Sequence, residues 1–83
     1  MDQSESQGSA LSERLKNLTR LGCAIAIRSD AKIPSCVENC LRSGATRDEI
    51  MEVVGMAILM AEVPANAYRA MVSDAIDDFE RRG

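Results

Sequence analysis

The chemistry open to this chain is set by three cysteines and the absence of histidine. Cys36 and Cys40 stand four residues apart, so on a helix they share one side. Cβ atoms at that spacing lie about 5–6 Å apart, whereas a disulfide wants them at roughly 3.8 Å. The pair therefore closes only with local unwinding. A single activated thiol is the easier route: helix N-termini favour the thiolate, and Cys36 falls in the first turn after Pro34. Cys36, with Cys40 as its nearest thiol, is the candidate catalytic group. Against this stands the common behaviour of free cysteine as a small buried hydrophobe, and Cys23, inside LGCAIAI, is expected in the core. Lys32, Glu62 and Tyr68 are the candidates for a ligand pocket. Glu62 follows a long apolar run, where it is either a buried carboxylate or the residue that returns the chain to the surface. Tyr68 has a hydroxyl to aim into a cavity between subunits.

Those side chains need helices to hold them. Thr46 to Ala61 reads TRDEIMEVVGMAILMA, with Thr46 as N-cap and Glu49 three residues on to close a capping box. Asp48 and Glu49 suit the positive end of the helix dipole. From Val53 to Ala61 no side chain is polar, and a helix apolar all round is expected to be buried all round. It is too short for a membrane span, which needs about 20 apolar residues. A first helix starts at Ser12 and carries Leu11, Leu15, Leu18, Gly22 and Ile25 on one face. Leu21–Ile27 is a second wholly apolar segment, expected against Val53–Ala61. Arg28–Ser35 breaks the pattern, a short helix follows to about Ser43, and Gly44 suits a C′ position. Pro64 fits the first position of a last helix running to about Glu80, in which Asp74, Asp77, Asp78 and Glu80 form a solvated face. The expectation is an all-α domain over residues 10–83, preceded by a disordered tail at 1–9 that is rich in Ser and Gln.

A chain of 83 residues hides only about 60% of its unfolded surface. Two segments that want burial on every side therefore predict oligomerisation. The net charge of −3 and the scatter of basic residues leave no stripe for phosphates, so nucleic acid is not an expected partner, and neither is a membrane. An odd number of thiols and no signal-like start point to the cytoplasm. Without histidine or zinc-type cysteine spacing, no metal or other cofactor is expected.

LSERLKNLTRLGCAIAI, a break, CVENCLRSGATRDEIMEVVGMAILM and VPANAYRAMVSDAIDDFE together resemble the carboxymuconolactone decarboxylase family. The closer likeness is to its small alkylhydroperoxidase (AhpD)-like members. LRSGATRDEI is the most specific piece. The resemblance implies an AhpD-like helical domain that assembles as trimers or hexamers. AhpD-like members carry a Glu on the first helix, a Cys-x-x-Cys pair and a His four residues beyond, used in peroxide reduction. An ungapped match anchored on Gly44 puts Asn17 at the Glu, Ser29 and Lys32 at the two Cys, and Cys36 at the His. A register one helical turn shorter puts Cys36 at the second Cys and Cys40 at the His; the ungapped one keeps each apolar position on its face. Near Pro64 the family has a Gly-rich turn where this chain reads AEV.

Three functions follow as expectations. The first is a diverged family member without peroxidase activity, acting as an oligomeric binding or scaffold protein toward a small ligand or a partner protein. The second is a thiol oxidoreductase that uses Cys36 with Cys40. The third is a cofactor-free decarboxylase or isomerase of a small lactone acid, with Glu62, Tyr68 or Lys32 as its acid or base.

Overall fold

The computed structural model describes residues 10–83; the expected tail at 1–9 lies outside them. Four helices make up the domain: α1 (Glu13–Ala26), α2 (Ile33–Arg42), α3 (Arg47–Ala61) and α4 (Ala65–Arg82), with a single 3₁₀ turn at Asp30–Lys32 before α2. They form a closed ring of neighbours in which α1 lies on α3, α3 on α4, α4 on α2 and α2 on α1. Inside the ring Leu21, Ile25, Val37, Ile50, Val54, Val72 and Ile76 are fully buried.

Local signals set the helix ends. Ser12 Oγ accepts from Leu15 N–H at 3.1 Å. At α3 the capping box is complete: Glu49 N–H donates to Thr46 Oγ1 at 3.1 Å, and Thr46 N–H to Glu49 Oε1 at 3.0 Å. The other oxygen of Glu49 holds Arg14 Nη1 at 2.6 Å, tying the start of α3 to that of α1. Gly44 (φ 97°) ends α2, with Ala45 N–H on Cys40 O and Gly44 N–H on Leu41 O; this is the Schellman arrangement. The same pair of bonds ends α1, Ser29 N–H to Ala24 O and Arg28 N–H to Ile25 O. There the left-handed residue is Arg28 (φ 57°) rather than glycine.

Some expectations need correction. Pro64 is the N-cap of α4, with extended ψ of 114°, so the helix begins one residue later. Its far end reaches Arg82, whose guanidinium meets Glu38 on α2 and Asp78. The apolar run of α3 is not buried all round within one chain. Ile50, Val54 and Ala57 face the core, while Met56 (59% exposed), Leu59 (77%) and Met60 (82%) face outward. On α1, Ile27 is 70% exposed, and Cys23 is exposed instead of core. At about 100° per residue Cys23 lies nearly half a turn away from Leu18, Leu21 and Ile25. The ring leaves these positions open because it is thin, 45 × 32 × 21 Å, and helices are about 10 Å across.

Candidate functional site

Two grooves flank α1. The first, of about 360 Å³, runs between α1 and α3 and is walled by Leu15, Gly22, Ala26, Val53, Met56 and Met60. Gly22 allows this approach: a Cβ there would meet Val53 Cγ1 at 3.3 Å. The wall is almost wholly hydrocarbon, and Thr19 and Cys23 also line it.

The second groove, of about 330 Å³, lies between α1 and the start of α2. Arg20, Cys23 and Ile27 come from one side of α1, spaced by three and four; Lys32 and Cys36, four apart, come from the other wall, and Thr19 and Ala24 complete it. Two of the sequence-predicted residues, Lys32 and Cys36, thus share a groove. Cys36 is half-buried and Cys23 exposed. Arg20 Nη1 donates to Asn17 Oδ1 at 3.0 Å. Neither Arg20 nor Lys32 forms an ion pair among the described residues. The surface of this groove is mostly hydrocarbon, with Arg20, Lys32 and the thiol-bearing Cys23 and Cys36 among its lining residues.

The other candidates are elsewhere. Cys40 is fully buried. Loss of solvent pushes its thiol up to about 11, with the neighbouring Cys36 adding to the effect, so near neutral pH it stays a protonated core side chain. Glu62 is exposed, in the left-handed conformation (φ 56°) that ends α3. It is the residue that returns the run to the surface, not a buried carboxylate. Tyr68 is buried and donates its hydroxyl to Asp30 Oδ1 at 2.5 Å. That bond, then burial, raises the phenol above its usual value. Neither Glu62 nor Tyr68 lines either groove. Sequence reasoning missed Arg20, Cys23 and the Asp30 partner of Tyr68. The three-and-four spacing of Arg20, Cys23 and Ile27 was the available signal, a second face on a helix already read for its core face.

Comparison with known proteins decides the family. The model of the carboxymuconolactone decarboxylase family matches residues 1–72. The chain belongs to the carboxymuconolactone decarboxylase family. The last part of α4, from residue 73 on, lies outside the match. No curated protein and no solved structure matches the chain. Against the family's AhpD-type site, Asn17 is a structural clamp here: its Nδ2 donates to Ser43 Oγ at 3.2 Å and to Asn39 O at 3.4 Å, holding α1 to the end of α2. Ser29 belongs to the turn that closes α1. Lys32 and Cys36 alone of the four positions open onto a groove. Among the described residues, no three metal-ligating side chains cluster and no helix is long and apolar enough to cross a membrane.

Proposed function

We propose that this family member is a diverged AhpD-like protein of the cytoplasm that works as a homo-oligomeric binding or scaffold protein, trimer-based, and not as a Cys-x-x-Cys peroxidase. The observation that carries the assembly is the outward apolar strip of Ile27, Met56, Leu59 and Met60. Full burial of such side chains is worth about 1.5–3 kcal/mol each. Covering most of four of them gains roughly 4–8 kcal/mol per chain, comparable with the cost of association, about 4–15 kcal/mol. A second copy is the favoured occupant because it brings an identical strip and gains on both partners.

The loss of peroxidase chemistry is argued from side chains. That reaction needs a thiolate to attack peroxide and a second thiol to resolve the sulfenic acid. The matching positions carry a hydroxyl at Ser29 and an amine at Lys32, and Cys40 is buried away from the groove. What the second groove retains is suited to holding a small ligand.

Light scattering at micromolar concentration tests the assembly; a folded monomer of 9.0 kDa overturns it. Peroxide turnover with a dithiol reductant tests the second part. Turnover that disappears in Cys36→Ser restores a peroxidase, and turnover indifferent to that change is background.

A further inference from the structure

The outward apolar strip belongs to two helices, Ile27 to the end of α1 and Met56, Leu59 and Met60 to α3. We propose that α1 of one copy lies parallel to α3 of the next, with Arg20, Cys23 and Ile27 set against the partner's Glu52, the partner's Gly55 and the partner's Leu59. This rests on the assembly reading and deepens it by naming the two surfaces and their alignment.

Matched spacing carries the inference. Arg20, Cys23 and Ile27 follow one another by three and four along α1, and Glu52, Gly55 and Leu59 do the same along α3. At about 100° per residue each set keeps to one face of its helix, and all but Gly55 are exposed. One step earlier on the same faces come Lys16 and Asp48. Each ridge therefore runs from charge at its start to hydrocarbon at its end, basic on α1 and acidic on α3. The two helices point the same way, since Arg14 meets Glu49 at 2.6 Å and a Cβ on Gly22 would meet Val53 Cγ1 at 3.3 Å. Equal heights on α1 and α3 thus fall 31 to 35 positions apart, and each proposed pair is 32 apart.

A symmetry axis running along the helices preserves those heights and brings all three pairs together at once. Within one chain the charges go unanswered: neither Arg20 nor Glu52 forms an ion pair among the described residues. Between copies Arg20 finds the partner's Glu52, Ile27 covers the partner's Leu59, and Cys23 fills the gap at the partner's Gly55. That gap is open, because a Cβ on Gly55 would meet only Arg69 Nη2, at 3.9 Å. Packed helices lie about 8–10 Å apart, and a glycine at the contact suits the close end of that range. In a trimer each copy gives α1 to one neighbour and α3 to the other, a head-to-tail contact that closes as a ring.

The test is charge exchange in the full chain, read as the dissociation midpoint of a light-scattering dilution series. Arg20→Glu and Glu52→Arg each set like charges across the contact, and each should raise the midpoint at least about tenfold at low salt. The double variant restores opposite charges and should return to within about threefold of the parent. Circular dichroism checks folding. Where an exchanged variant does not fold, Arg20→Gln and Glu52→Gln should each raise the midpoint about twofold or more, and their double should be no weaker than either alone. An oligomer that ignores the single changes, or a double variant as weak as both exchanges added, overturns the alignment and leaves the assembly standing. A monomeric parent overturns both.

Discussion

Met60→Ser separates the fold from the assembly. Within one chain Met60 is 82% exposed, so the substitution removes no intrachain core contact of consequence. A surface change of this kind shifts stability by about 0.5 kcal/mol at most. In the proposed assembly the same side chain is covered by a second copy. Burying a methionine fully is worth about 1.5–3 kcal/mol, and four-fifths of that is still to be gained when subunits meet. Each interface that buries one Met60 thus loses about 1–2 kcal/mol. A trimer closes three such interfaces, so its assembly weakens by about 3–6 kcal/mol, or roughly 10² to 10⁴ in the assembly constant. Sedimentation or light scattering over a dilution series should move Met60→Ser toward monomer at concentrations where the parent is oligomeric. The helical circular dichroism should stay unchanged. An oligomer whose midpoint does not move, or a variant that unfolds before it dissociates, refutes the reasoning.

Arg28→Gly should stabilise. Arg28 holds the left-handed position that closes α1, which costs an L-residue about 1–2 kcal/mol. Glycine's larger unfolded-state entropy cancels part of the gain and leaves about 0.5–1 kcal/mol, seen as a rise of a few degrees in Tm. Thr46→Ala should cost about 1 kcal/mol by removing one half of the capping box, read as a lower denaturant midpoint at constant slope. Gly44→Val should cost about 1–2 kcal/mol, a purely backbone effect because nothing lies within 4 Å of the added Cβ. Stability should also fall at alkaline pH. Cys40 is raised from 9.0 to about 11 in the fold, so its neutral form is favoured there. That stability is fully present below pH 9 and is lost as pH rises toward 11. Tyr68, raised above 10.0, acts with the same sign. In pH-dependent melts Cys40→Ala should flatten the part between pH 9 and 11 and keep the part that belongs to Tyr68.

Three helix ends are legible because each rests on a residue acting within five positions of itself, through a side chain at Ser12 and at Thr46 with Glu49, and through the backbone at Gly44. Ser12, Thr46 with Glu49, and Gly44 all act in the predicted places. The Arg28 cap was not legible, since an arginine gives no sign of left-handed backbone; only the two bonds from Ser29 and Arg28 back into α1 reveal it. The grooves were half legible. Lys32 and Cys36, which the sequence singles out, stand together, but Cys23, expected in the core from the apolar company it keeps, is exposed. Hydropathy counts neighbours along the chain, whereas burial depends on which side of α1 faces α2 and α3. Glu62 and Tyr68 stand out in the sequence as polar groups beside apolar runs. Glu62 is a helix end, and Tyr68 is satisfied by Asp30, a partner thirty-eight residues away that no local pattern encodes.

The closed ring also fixes an order of events during synthesis. Chains fold as they emerge, N-terminal parts first, and here α1 can pair with α2 and then with α3 as each appears. α2, however, rests on α4, held by Arg82 on Glu38 and by Arg42 stacked 5.4 Å from the centre of the Phe79 ring. For as long as α4 is unmade, the side of α2 destined for it has no cover, and the outward methionines of α3 are already exposed. The nascent chain therefore passes through an interval with two greasy faces on display. Its hazard is premature sticking between neighbouring ribosomes' products, and the last helix ends that interval by shutting one of the two faces.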